Sequence, residues 1–196
     1  YASLIQKSEA ESMLAILRIA NIPGRAVEVI AGDDLQIDQI RTHDVIYLGP
    51  IVSLGPLSGY YQLRSRYHFD QTQSSLTDTD SHKVLLPGGE LGGPHVDYAV
   101  VANILGPEGN HILIVTSGMR NAGMLQVVRM VTSPGGISKL SAKLGASSAG
   151  PDSFEALLTV TGFKQTDLTA DVIAVNALPL MKFPPQTSTP DAAAKQ

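Results

Sequence analysis

The chain has 196 residues, 43% of them hydrophobic and 16% charged, with a formal net charge of -4 and neither cysteine nor tryptophan. That composition suits one folded core and excludes wholesale disorder, disulfides, thiolate nucleophiles and zinc ribbons. No basic cluster offers a face for phosphates, which argues against nucleic-acid binding, and no apolar run approaches the roughly 20 residues of a bilayer span.

Ser8-Glu-Ala-Glu11 fits a capping box. Behind it Ala10, Met13, Leu14, Leu17 and Ala20 recur at helical spacing, and Asn21-Ile-Pro-Gly24 stops the helix. Ala26 to Ile30 (AVEVI) reads as a strand, and Gly32-Asp-Asp34 caps a short helix carrying Leu35, Ile37 and Ile40. Asp44 to Leu48 (DVIYL) lacks alternation and predicts an interior strand buried on both faces. This opening of helix, strand, helix, strand has the cadence of an α/β sheet. In Leu63 to Phe69, apolar residues alternate with Arg64, Arg66 and His68, which predicts an amphipathic strand with solvated or acid-paired arginines. The polar run from Asp70 to Ser81 reads as an exposed loop with solvated Asp78 and Asp80, and Pro87 to Pro94 as a second loop.

Tyr98 to Leu105 and His111 to Thr116 predict two strands, and the five turn formers Gly106-Pro-Glu-Gly-Asn110 between them make a hairpin. The sheet is therefore mixed. Met124, Val127, Val128 and Val131 predict a helix closed by Ser133-Pro, and Ile137, Leu140 and Leu144 a second one. Phe154 to Thr161 and Asp171 to Leu178 form a closing strand pair. The expected architecture is one α/β domain over residues 1–183, a mixed sheet flanked by helices in a Rossmann-like three-layer arrangement, with a flexible tail over 184–196. DVIYL and HILIVT should be interior strands whose carboxyl ends point to one edge.

Familiar catalytic signatures are missing. Gly88-Gly-Glu-Leu-Gly-Gly93 lacks dinucleotide spacing, no phosphate loop occurs, and Gly145-Ala-Ser-Ser-Ala-Gly150 misses the nucleophile elbow by one residue. His43, His68, His82, His95 and His111 show no local metal pattern and suit surface or loop-anchoring roles. His95-Val-Asp97 alone places two ligand types on one strand face. Asp44, Asp97 and Glu155 are scattered acids. No catalytic residue, metal site or cofactor is assigned.

Ligands of open α/β sheets gather beyond the carboxyl ends of strands. Two loops have that form: Gly49 to Ser53 after DVIYL, and Ser117-Gly-Met-Arg-Asn121 after HILIVT. The candidate binding residues are thus Ser117, Gly118, Arg120 and Asn121, with Gly49 and Ser53 opposite. The plainer alternative is a turn whose polar groups only satisfy the backbone. Pro50, Ile51 and Val52 lead the first loop, and Pro50 has no amide to give, so that loop should turn the corner and pack Ile51 or Val52.

The order DVIYLG, an aromatic-arginine segment ending YHF, DYAVVANI, a hairpin and HILIVTSGMRNAGMLQVVRMVTSP resembles an uncharacterised bacterial C-terminal domain, across roughly Ser8 to Leu178. Where that family carries paired asparagines after the glycine, this chain has Ile51-Val52-Ser53. The resemblance implies a membrane-tethered regulator with an upstream winged-helix DNA-binding domain and a transmembrane helix, and hence a periplasmic, sensory location for this piece. A start at Tyr1 fits a portion of something longer. The expected function is a non-catalytic sensory domain binding a small polar ligand or a protein partner, a homodimer among them. An enzyme acting on a nucleotide-like or phosphorylated small molecule is the alternative.

Overall fold

The computed structural model describes residues 7–90, 92–117, 123–144, 153–164 and 166–178. The expected tail over 184–196 lies outside them. Helix α1 (Lys7–Ala20) leads through irregular backbone and a 3-10 turn (Gly32–Asp34) to α2 (Ile37–Thr42) and strand β1 (Val45–Pro50). A second 3-10 turn (Ile51–Ser53) and α3 (Leu57–Gln62) precede a small antiparallel sheet of β2 (Tyr67–Asp70), β3 (Ser75–Asp78) and β4 (Lys83–Leu85). Then come β5 (Gly88–Gly89), β6 (Pro94–Leu105), β7 (His111–Ser117), α4 (Met124–Thr132), α5 (Pro134–Leu144), β8 (Phe154–Phe163) and β9 (Thr166–Ala177). No described helix is long and apolar enough to cross a membrane.

The main sheet runs β1-β7-β6-β8-β9, with β5 paired beside β6. Among the described strands of this sheet, β1 and β7 alone are parallel, and the other pairs are antiparallel. The fold is thus α/β with a mixed sheet, as expected. The hairpin forms as read, with the Gly106 amide donating to the Asn110 carbonyl at 2.6 Å. Asn110 then locks it in place, its side-chain amide donating to the Ile40 and His43 carbonyls at the end of α2.

Alternation along β6 divides the core. Val100, Ala102 and Ile104 pack on one face with Ile112, Ile114, Leu157, Ile40, Leu57, Tyr61, Tyr67 and Leu76. Ala99 and Val101 pack on the other with Val115, Ala156, Leu158 and Val160, under Ile16, Met124, Val127, Val128 and Leu140 from α1, α4 and α5. Helix α1 touches mainly α4. Its buried residues are Ser12 and Ile16, and Leu14 stays exposed, so the buried stripe is rotated from the expected one. Ser8 lies inside the helix rather than ahead of it, so it is not the N-cap.

Four expectations are corrected. AVEVI forms no strand: residues 21–34 are all exposed and Ala26 to Ile30 pair with nothing. Deprived of that neighbour, β1 is an edge strand rather than an interior one, although its carboxyl end points the same way as that of β7. The polar run 70–81 contains β3, whose Ser75 and Leu76 are both buried. Leu63 to Arg66 is the exit from α3, not a strand, and Leu63 is exposed.

The two arginines of that exit part company. Arg64 donates from Nη1 to the Leu105 carbonyl at 2.5 Å, tying α3 to the end of β6. Arg66 turns to the small sheet and meets both Asp78 oxygens, through Nε at 2.8 Å and Nη2 at 2.5 Å, with Asp80 at 3.2 Å. Pairing with acidic neighbours is thus as expected for Arg66, but Asp78 is largely enclosed rather than solvated. The Arg66 guanidinium, helped by the Ser81 hydroxyl and two backbone amides, holds the Asp78 carboxyl well below the usual carboxylate range, outweighing its burial. A depressed folded pKa means that the ionised group stabilises the fold above its unfolded value, about 3.9, and that this stabilisation fades as pH falls further. Thermal midpoints measured between about pH 7 and pH 2 should drop below about pH 4. Asp78→Asn should lower the neutral midpoint and flatten that drop; an unchanged acid limb would contradict the assignment.

Candidate functional site

The parallel pairing of β1 with β7 sets Gly49 beside Thr116 and Pro50 beside Ser117, so both expected loops leave the same sheet edge. They do not converge as side chains. Ile51 is buried against the face carrying α2 and α3, Val52 is exposed, and the exposed Ser53 is the last residue of the 3-10 turn. Gly49 has a local reason: the Tyr47 ring folds over it, and a Cβ there would lie 2.6 Å from the Tyr47 hydroxyl oxygen. That hydroxyl donates to the Pro50 carbonyl at 2.7 Å, and burial, then the Asp33 charge, pushes its pKa up to about 12. The loop turns a corner and packs. Gly118, Arg120 and Asn121 lie outside the described residues.

Ser117 faces the other way. The side chains of Leu113, Val115 and Ser117 share the α4 face of β7, opposite to Ile112 and Ile114. On the same face of β6, in line with Ala99 and Val101, stand His95 and Asp97. All three polar residues are buried: Ser117 is 4% exposed, His95 6% and Asp97 0%. Among the described residues, the Ser117 hydroxyl and His95 Nε2 meet no hydrogen-bond partner, while His95 Nδ1 lies 3.3 Å from the Gly93 carbonyl oxygen and Asp97 accepts the Tyr98 amide at 2.8 Å. Buried polar atoms without partners are uncommon; the Ser75 hydroxyl and the Asn110 side-chain oxygen, in the small sheet and the β6–β7 turn, are others in this chain.

A break in the sheet lies between them. The β6–β7 ladder ends at the Val101–Val115 pair, while β6 stays paired with β8 as far as Pro94. One residue past the break, the Thr116 side chain takes the place of the ladder. It accepts the Val100 amide at 2.8 Å and donates to the Val100 carbonyl at 3.0 Å. There β7 leaves its antiparallel neighbour and keeps its parallel one. Helix α4 begins above it. Its N-cap Gly123 (φ 102°) lies against Val160, the β8 partner of Asp97, and makes no side-chain cap. Among the described residues, the Met124 and Leu125 amides of the first turn meet no acceptor.

The three residues do not form a nucleophilic relay. Continuing the register puts Ser117 level with Ala99, so His95 stands four residues away along β6, about 13 Å at the usual strand rise. Asp97, not His95, occupies the middle, and a serine needs its base within hydrogen-bond reach. Sequence reasoning found Ser117 by position and His95-Val-Asp97 by spacing. It missed Thr116, whose wedge role has no signature in the order of residues. Among the described residues, no three His, Asp or Glu side chains gather where they could hold a metal ion.

A second buried carboxylate is structural. Glu155 on β8 faces the small sheet, where its oxygens accept the Ser65 hydroxyl at 2.6 Å and the Arg66 amide at 3.0 Å. Burial raises its pKa, against the lowering effect of those two bonds. Asn176, its register partner on β9, accepts from Arg66 at 3.3 Å and donates to the Tyr67 hydroxyl at 3.2 Å. Compared with known proteins, the chain matches no family model, no curated protein and no solved structure.

Proposed function

We propose that this chain is a non-catalytic sensory domain of a bacterial, membrane-anchored regulatory protein, working outside the cytoplasm. In this reading a small polar ligand is held where β6 and β7 part. The observation that carries the ligand site is the buried row of Ser117, Asp97 and His95, with two unsatisfied polar atoms, under the uncapped start of α4. A few placed polar groups in an otherwise apolar setting are what orient a small ligand. The regulatory and extracytoplasmic parts rest on the resemblance of the strand and loop order. The reading also takes the architecture as a Rossmann-like three-layer arrangement, supported by apolar packing on both faces of the sheet and by the parallel β1–β7 pair. Glu155 and Asp44, two acids an enzyme could have used, are engaged with backbone amides at Arg66 and His111.

The test is a thermal-shift screen against polar metabolites on wild type, Ser117→Ala and Ser53→Ala. A ligand at 100 times its Kd should add about 2.7 kcal/mol of apparent stability. That gain should be lost in Ser117→Ala and kept in Ser53→Ala. A gain lost only in Ser53→Ala would move the site to the other loop.

A further inference from the structure

The segment from Arg25 to Ala31 crosses from α1 on one face of the sheet to α2 on the other, past the outer edge of β1. Arg25 lies 3.8 Å from Asp44 at the start of β1, and Gly32 lies against Tyr47 farther along it. The segment follows the strand without joining it. Residues 26–30 make no hydrogen bond, and none is paired in a sheet. Val29 is 61% exposed, and Val27 and Ile30 in the same segment and Ile46 on β1 are exposed as well. Five consecutive residues of strand-forming character with every backbone group unpaired are a template for another strand.

Proteins blunt such edges with proline, lysine, bulges or a cover. The far edge of the same sheet, β9, carries two register shifts against β8. Residues 26–31 carry none of these devices, and Glu28 is their only charge. We propose that this segment is the contact between two copies of the chain, pairing antiparallel about a two-fold axis. A two-fold contact must be self-complementary. With the axis between Ala26 and Val27, each Arg25 side chain stands opposite Glu28 of the partner subunit, and each Val29 reaches the turn where Gly24 (φ 86°) and the Arg25 amide, bonded to the Ile22 carbonyl, end the ladder. Two ion pairs and one short ladder then come from one surface, whereas a register centred on Glu28 would oppose two carboxylates.

Light scattering coupled to size exclusion tests this at about 100 µM, where a dimer of micromolar Kd is almost fully associated. Wild type should elute at twice the single-chain mass. Val29→Lys, a change at an exposed side chain that leaves the monomer folded, should raise the dissociation constant by at least about tenfold. Leu168→Lys on β9 should leave it unchanged. Arg25→Glu alone should weaken the dimer, and Arg25→Glu with Glu28→Arg should restore it. A monomeric wild type, a dimer indifferent to Val29→Lys, one equally sensitive to Leu168→Lys, or a double swap that fails to restore would each overturn the proposal.

Discussion

Glu155→Ala is expected to lower folding stability by about 3–5 kcal/mol, because it strips a buried, doubly hydrogen-bonded carboxylate and leaves its donors behind. Glu155 is fully buried, and it fixes the turn out of α3 through the Ser65 hydroxyl and the Arg66 amide. Alanine would leave the Arg66 amide without an acceptor and the Ser65 hydroxyl with only the Tyr67 carbonyl at 3.2 Å, and it would open a space between β8 and that turn. The loss would spread. The Ser65 hydroxyl interacts with the Tyr67 backbone, and the turn aims Arg66 at Asp78, so the small sheet loses its anchor on the main one. Glu155→Gln keeps the shape and one carbonyl acceptor but turns an amide toward a donor. It should cost about 1–2 kcal/mol, since no charge remains to be desolvated. Urea denaturation of the three proteins should give the order wild type, Gln, Ala. An alanine variant as stable as wild type would mean that the small sheet is held by apolar packing alone.

Gly136→Ala is expected to cost about 3 kcal/mol or more, a large value for one methyl group. Helix α5 starts directly after α4, and Gly136 in its first turn rests on the backbone at the end of α4. A Cβ there would lie 2.1 Å from the Met130 carbonyl oxygen and 2.6 Å from the Met130 Cα. No side chain can swing away from such a contact; one helix must shift. Because α4 and α5 together cover Val115, Ala156, Leu158 and Val160, the shift would loosen that whole face of the sheet. Thermal denaturation checks it, with Gly135→Ala, where a Cβ meets nothing within 4 Å, as the control. Equal midpoints for the two variants would contradict the packing described.

The elements legible in the sequence were those whose local chemistry and tertiary setting agree. The β6–β7 hairpin announced itself through five turn formers between two apolar runs, and α4 through Val127 and Val128 at helical spacing. Elsewhere local pattern and setting conflict. AVEVI has strand composition, but a strand needs a paired edge, and in the isolated chain it finds none. The alternation in Leu63 to Phe69 came from two arginines with separate tasks, not from one pleated surface. Strand β3 hid in a polar run because a small sheet covered on one face needs little more than Leu76 to hold it. The site was half visible. Ser117 followed from its place after a strand, and His95 and Asp97 from their spacing. Their burial could not be read, since polar residues are ordinarily outside and only the packing of α4 across the sheet encloses them.

The central claim is that a polar ligand occupies the parting of β6 and β7, and an amide chemical-shift map tests it most directly. Isotope-labelled protein would be titrated with the metabolites that stabilise it thermally. The shifts should concentrate in residues 95–100 of β6, residues 115–117 of β7 and the first turn of α4, with Gly49 to Leu54 and the small sheet unchanged. Shifts confined to Gly49 to Leu54 or to β2, β3 and β4, with the Ser117, Asp97 and His95 amides unmoved, would contradict it.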